Sequence, residues 1–98
     1  MKVEMKVWYM KKEWFNQLIC HPEEVKKSNI EKTHSIVFEG PFNNLNEVFE
    51  YMNIDFPALD RRAIIRNAGC SHTSMSVGDV VQIGGEYHVV RGIGWEML

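Results

Sequence analysis

The side chains best suited to bind an anion lie close together in this sequence. Arg62 and Arg66 are four residues apart, so in a helix they share one face and can hold a phosphate or a carboxylate between them. The alternative is a solvated helix face whose arginines pair with Asp60 or with Glu47 and Glu50. We predict a binding site for a protein or an anion that contains Arg61, Arg62, Arg66, His72, Thr73 and Ser74.

Histidine and hydroxyl side chains are also the groups that nucleophilic and acid–base catalysis use. His34 and His72 are the pair best suited to acid–base action on a phosphodiester. However, the chain contains no Gly-x-Ser-x-Gly elbow, no His-Glu-x-x-His helix and no Gly-x(4)-Gly-Lys phosphate loop. We therefore predict that the protein is not an enzyme and has neither a catalytic residue nor a cofactor. A small hydrolase or nuclease using His34 and His72 is the least favoured of three hypotheses.

Two cysteine–histidine pairs raise the question of a metal site. Cys20-His21 and Cys70-Ser71-His72 together contain the two thiols and two imidazoles of a tetrahedral zinc shell, but neither has the Cys-x(2–4)-Cys spacing of structural zinc sites. We therefore predict no metal.

The first residues are charged and the chain has no apolar run of about 18 residues, so neither a secretory signal nor a membrane span is expected. We expect a soluble cytoplasmic protein with free thiols.

Trp8 is a further candidate for the binding surface. Val3, Met5, Val7 and Tyr9 alternate with other residues in the pattern of a strand that turns one face inward, and Trp8 falls on the opposite face. Either the strand is covered on both faces or Trp8 is exposed and available to a partner, as interface tryptophans are. On the second alternative Trp8 joins the binding residues.

The elements that position these residues are predicted from hydrophobic period and from turn residues. Asn44 and Glu47 have the spacing of a capping box, Gly69 is placed as a left-handed helix C-cap, and Gly84-Gly85 suits a hairpin turn. In chain order we predict a strand at 3–9, a helix at 12–20, a strand at 33–39 ended by Gly40-Pro41, a helix at 45–52, a helix at 57–68, and strands at 77–83 and 86–93.

The order β-α-β-α-α-β-β predicts an α+β fold. We expect a small mixed or antiparallel sheet with two or three helices packed on one face, a C-terminal hairpin and a short strand near the C-terminus. With 98 residues, the chain has enough length for one core and too little for two independent ones, so residues 1–98 are predicted to form a single domain.

Composition excludes several classes of function. The 11 basic and 13 acidic residues leave a net charge of −2, so no overall attraction to nucleic acid or to anionic lipid is expected. The 45% of hydrophobic residues exclude a disordered chain. The charges are nevertheless segregated, because acids collect around residues 39–55 and three arginines lie within 61–66. The protein can therefore present one acidic and one basic patch.

The C-terminal third resembles a known family. Its segments are HTSMSVGDVV at 72–81, GGEYHVV at 84–90 and a Gly-Trp pair at 94–95. These resemble the small YodL-like proteins of phages, plasmids and other mobile elements, and the similarity reaches backward through Thr33-His34 and residues 45–49. The resemblance implies a genetic setting, beside anti-restriction domains, and no particular reaction.

The leading hypothesis follows from that setting and from the absence of catalytic motifs. It is a non-enzymatic phage or mobile-element accessory protein that binds and modulates a host protein in the host cytoplasm, for example as an inhibitor of restriction or CRISPR defence. The second hypothesis is a nucleic-acid-binding regulatory module that uses the Arg61, Arg62 and Arg66 helix face. No membrane partner is expected, and the protein is predicted to be a monomer or a homodimer.

Overall fold

One antiparallel sheet and helices on both of its faces make up the fold. The computed structural model describes residues 1–55 and 58–98. The strands are β1 (Val3–Met10), β2 (His34–Phe42), β3 (Val80–Ile83), β4 (Glu86–Val90) and β5 (Trp95–Met97). Their spatial order is β2-β1-β3-β4-β5, and all neighbouring strands are antiparallel. The α-helices of the described residues are α1 (Lys12–Cys20), α2 (Ile30–Thr33), α3 (Leu45–Glu50), which continues as a π-helical turn at Tyr51–Asp55, and α4 (Ala58–Asn67).

The first face of the sheet packs against α3 and α4. Met5, Val7 and Tyr9 of β1 belong to one buried cluster with Val48 of α3 and Ile65 of α4. These β1 residues are two apart, so their side chains leave the strand on the same side. This face carries three of the four residues predicted to point inward from the first strand, whereas the fourth, Val3, is exposed.

The second face of the sheet packs against α1 and α2. Trp8 and Met10 of β1 form a second buried cluster with Leu18 of α1 and Ile30 of α2. Trp8 is only 8% exposed, and its indole N–H donates to Gln82 Oε1 at 3.0 Å. The strand is therefore covered on both faces, and the prediction that Trp8 anchors a partner at the surface is wrong, because helix α1 and its neighbours bury it.

The α+β class, the order of the elements and the C-terminal hairpin are confirmed. One detail differs, since the helices are divided between the two faces instead of sharing one. The physical reason lies in the second half of β1, which is apolar on both sides, with Val7 and Tyr9 on one side and Trp8 and Met10 on the other. Each face of such a strand must be covered to keep its side chains from water.

Strand β2 runs further than its turn residues predict. It continues through Gly40-Pro41 to Phe42, and Pro41 lies opposite Glu4 of β1. Because β2 is an edge strand, the N–H that proline lacks is not needed by a neighbour. The predicted end of the strand at Gly40-Pro41 is therefore wrong.

The caps of the helices on the first face follow the sequence closely. Asn44 Oδ1 accepts the backbone N–H of Glu47 at 2.8 Å, which confirms the N-cap of α3. Helix α4 ends at Asn67, and the chain reverses at Gly69, whose φ is 85°, where the N–H of Cys70 donates back to the carbonyl of Ile65 at 3.0 Å. The predicted start of this helix at Pro57 lies outside the described residues.

The C-terminal hairpin is shorter than predicted but turns at the predicted glycines. Ile83 pairs with Glu86, so the turn contains two residues. Its first residue, Gly84, has a φ of 58°, and the positive φ that such hairpin turns require at this position favours glycine. Strand β3 begins only at Val80 because the preceding residues form a turn around Asp79. Within residues 1–55 and 58–98, none of the helices has the length and apolar composition needed to cross a bilayer.

Candidate functional site

A cavity of about 480 Å³ opens where the start of α1 meets the end of α4. Basic and hydroxyl side chains dominate its polar lining. We call this cavity the basic groove and define it by Lys12, Arg62, Arg66, Ser71 and Thr73.

Local structure explains why these residues converge. Arg62 and Arg66 share one face of α4 because they are one helical turn apart. The C-cap at Gly69 then reverses the chain, and the carbonyl of Gly69 accepts the backbone N–H of Lys12 at 2.9 Å. That hydrogen bond holds the first residue of α1 against the end of α4. Lys12 therefore lies beside Arg62 and Arg66, and the three cations surround one concavity although they come from two distant parts of the sequence.

The three cations of the basic groove are exposed, and in the described part of the chain none of them forms an ion pair. The alternative in which Asp60, or Glu47 and Glu50, pair with the arginines is thus not seen among these residues. Like charges gathered around a concave surface reinforce each other's potential. The groove is therefore suited to an anionic group, although the whole chain is slightly acidic.

Arg61 does not join the other two arginines. Its Nη1 donates to the backbone carbonyl of Met52 at 2.9 Å, and the side chain is half-buried. This hydrogen bond ties α4 to the π-helical turn that follows α3. Arg61 therefore has a structural contact, whereas Arg62 and Arg66 line the groove.

The predicted loop residues separate in the same way. Thr73 lines the groove, and its carbonyl accepts the hydroxyl of Tyr9 at 3.1 Å. Ser74 is exposed outside the groove lining, and its carbonyl accepts the Ser76 hydroxyl at 3.2 Å. His72 turns inward, where its ring stacks on that of Tyr9 with centroids 4.6 Å apart. Of His72, Thr73 and Ser74, only Thr73 lines the groove.

A buried carboxylate, that of Asp79, organises the loop. It accepts the backbone N–H groups of Met10 at 2.9 Å and Ser76 at 2.8 Å, and His72 Nε2 lies 2.8 Å from its Oδ2. Asp79 is fully buried, so these contacts replace the water that its charge would otherwise require. Nothing in the local sequence marks Asp79 as the partner of Met10, because the two residues are 69 positions apart.

His34 completes what we call the polar centre, defined by His34, His72 and Asp79. Its Nε2 lies 2.7 Å from the carbonyl of Gly78, to which it must donate, and its Nδ1 lies 2.7 Å from the Thr33 hydroxyl. Burial lowers the pKa of His34, so the ring is neutral near pH 7. Both nitrogens of His34 are thus engaged inside the protein.

The side chains of His34, His72 and Cys70 provide neither an accessible base nor a thiolate. His72 Nδ1 is buried and lacks a hydrogen-bond partner among the described residues. Burial raises the pKa of Cys70 to about 12, with the Asp79 charge adding to the effect, so the thiol stays protonated beside the groove. The pair His34 and His72 therefore offers no surface ring nitrogen to a phosphodiester.

The two cysteine–histidine pairs do not assemble into a ligand shell within the described ranges. Cys20 is exposed, Cys70 is buried and both thiols are free. The group of possible ligands that does come together is His21, Glu23 and Glu24 at the surface.

Comparison with known proteins places the chain beside a viral sequence. No family model matches the chain, and no solved structure matches it. It is 44% identical over 57 residues to the uncharacterized protein R785 of Acanthamoeba polyphaga mimivirus, a stretch that covers 55% of this chain and 52% of that protein. The chain thus spans about half the length of the curated relative it matches. The likeness is to a viral protein and indicates no specific activity.

Proposed function

We propose that this protein is a small, non-enzymatic accessory protein of a virus or mobile element that binds an acidic surface of a host protein through the basic groove. The observation that carries the proposal is the convergence of Lys12, Arg62 and Arg66 on one concavity with no ion pair among the described residues. Because these cations form no ion pair within residues 1–55 and 58–98, the groove is suited to an external anion even though the chain has a net charge of −2.

The groove chemistry fits carboxylates presented by a protein. The guanidinium groups of Arg62 and Arg66 each offer a planar fork that pairs with a carboxylate through two hydrogen bonds. Ser71 and Thr73 add neutral hydroxyl donors at the same surface. Arginine is also among the residues that most often dominate binding energy at protein interfaces.

Binding is favoured over catalysis because the reactive groups beneath the groove are engaged in the fold. His34 uses both ring nitrogens internally, and the Cys70 thiol is protonated. The likeness to a viral protein supports an origin in a virus or mobile element. The same proposal includes three further points: kinship with YodL-like proteins, action in the host cytoplasm and inhibition of a defence system.

The decisive experiment compares capture of partners from host lysate by the unchanged protein and by a doubly charge-reversed variant, Arg62→Glu with Arg66→Glu. A matched control reverses two exposed cations elsewhere, Lys26→Glu with Lys27→Glu. We expect one stoichiometric host protein to be retained by the unchanged protein and the control, and lost by the groove variant, because the groove then repels an acidic surface. Equal retention by all three, or no partner together with no effect on viral growth in defence-positive hosts, would contradict the proposal.

A second candidate, nucleic acid, is favoured by one observation. Two arginines, a lysine and two hydroxyls line the same groove, and these are the groups that contact phosphates in nucleic-acid complexes. Mobility shifts across a salt series separate the candidates. Three phosphate contacts on duplex DNA predict a slope of log affinity against log salt of about −2.7. Absence of a shift at low salt would remove this candidate and leave the protein partner.

A further inference from the structure

A second cavity, of about 390 Å³, lies between the edge strand β2 and helix α3. Its lining combines aromatic rings with carboxylates and differs completely from the basic groove. We call it the aromatic pocket and define it by Phe38, Phe42, Glu47, Glu50 and Tyr51.

The three rings form one contiguous aromatic surface. The centroid of Phe38 lies 5.0 Å from that of Tyr51 and 5.9 Å from that of Phe42, and the Phe42 and Tyr51 centroids are 5.7 Å apart. The rings are tilted by 42° to 61° to one another, so their electron-rich faces point in several directions. Phe38 and Tyr51 are only half-buried and contribute to the wall of the cavity.

Gly40 allows this arrangement on β2. Phe38, Gly40 and Phe42 are each two residues apart on one side of the strand. A Cβ atom at Gly40 would lie 2.9 Å from Phe38 Cε2, so any larger residue would displace that ring. The small residue between two phenylalanines therefore lets the Phe38 ring lie across the strand.

The rim of the pocket is negatively charged. Glu47 and Glu50 are three apart on α3 and share a face of the helix. Within the described residues neither carboxylate forms an ion pair, and the described hydrogen bond of the Glu47 carboxylate comes from Asn43 Nδ2 at 2.9 Å. The exposed side chain of Lys2 also lines the cavity. A cation supplied by the chain itself thus already lies beside the rings and carboxylates.

We propose that the aromatic pocket binds the guanidinium group of an arginine side chain from a basic peptide segment. Aromatic ring faces attract cations, and guanidinium is the cation that both stacks on a ring and donates two hydrogen bonds to a carboxylate. A quaternary ammonium would use the rings but has no hydrogen to donate to Glu47 or Glu50. The cavity volume falls within the range of small-ligand sites. This site is separate from the basic groove and does not depend on the function proposed for it.

The test is a calorimetric and NMR titration of the full chain with a short blocked peptide that contains one arginine. The matched probe replaces arginine with citrulline, which has nearly the same shape but no charge. We expect the arginine peptide to shift the amide resonances of Gly40, Glu50 and Tyr51 and to bind about tenfold more tightly than the citrulline peptide. Equal binding of the two peptides, or shifts confined to other residues, would overturn the proposal.

Variants locate the effect in the pocket. Glu50→Gln removes an exposed rim charge and is expected to weaken arginine binding about threefold to tenfold, whereas Glu31→Gln changes an exposed acid elsewhere and should leave it unchanged. Lys2→Gln removes the competing cation and should strengthen binding. Tighter binding of a trimethyl-lysine peptide than of the arginine peptide would contradict the choice of guanidinium. Arg62→Glu with Arg66→Glu should retain arginine binding, so failure of one site is distinguishable from failure of the other.

Discussion

The polar centre and the basic groove are neighbouring polar regions with opposite properties. In the polar centre, the carboxylate of Asp79 is fully buried and accepts two backbone N–H groups in addition to its contact with His72. In the groove, Arg62 and Arg66 are exposed and have no ion pair among the described residues. The same loop, residues 70–79, serves both regions. Polar residues clustered in the sequence therefore divide into those that hold the loop and those that remain available to a ligand.

The largest effect is expected from Asp79→Ala. This change removes the acceptor of the buried N–H of Met10 and of the part-buried N–H of Ser76, so we expect a loss of about 3–5 kcal/mol in the free energy of unfolding. Urea denaturation measures it. Asp60→Ala, which truncates an exposed acid, is the control and should change stability little. A small effect at Asp79 would mean that the polar centre does not hold the loop.

A smaller loss is expected from Gly78→Ala. Gly78 has a φ of 101°, and an added Cβ would lie 2.8 Å from the buried Met10 Sδ. Both backbone strain and the displacement of Met10 should destabilise the fold, by about 1–3 kcal/mol in total. Gly85→Ala is the matched control, because no atom outside its immediate neighbours lies within 4 Å of its added Cβ. Similar thermal midpoints for the two variants would contradict the assigned role of Gly78.

The polar centre should also make stability depend on pH. Burial lowers the pKa of His34 below its ordinary value of 6.5, so below that pH the unfolded chain takes up a proton that the folded chain resists. The contribution of His34 is therefore complete above pH 6.5 and is lost as the pH falls toward its lowered pKa. Denaturation at a series of pH values from 8 to 5 should show this decline. His34→Gln should flatten the curve even if it lowers stability throughout, whereas the exposed His21→Gln should keep the slope.

The smallest effect on stability is expected in the basic groove. Arg62→Gln with Arg66→Gln removes two exposed cations that form no ion pair among the described residues, so the unfolding free energy should stay nearly unchanged. Partner binding should fall strongly in the same protein. A large loss of stability would place these arginines with the polar centre instead, and would remove the contrast between the two regions.

Much of the fold could be predicted because its signals are local. The N-cap at Asn44, the left-handed C-cap at Gly69 and the turn at Gly84 each depend on a few adjacent residues, and all three occur where predicted. The end of β2 was not predictable in this way. Whether Pro41 can continue a strand depends on its being at the edge of the sheet, and strand order is a property of the whole fold.

The residues of the candidate site also differ in whether local sequence could predict them. The pairing of Arg62 with Arg66 follows from helical spacing, and the structure places both in the groove. The contribution of Lys12 could not be foreseen, because it comes from the hydrogen bond that links α1 to Gly69. Equally, nothing in the local sequence distinguishes Arg61, which donates to the carbonyl of Met52, from the arginine beside it.

The α+β class, the order of the elements and the type of chemistry on α4 follow from the amino-acid sequence, because hydrophobic period, caps and helical spacing act over a few residues. Long-range packing is what covers both faces of the sheet, buries Trp8 and His34, and brings the carboxylate of Asp79 to the N–H of Met10. These outcomes depend on which distant segments meet. Contacts between distant segments determine whether a polar group is buried and which hydrogen-bond partners it has. Burial and partners in turn determine whether the group stabilises the fold or remains available to a ligand.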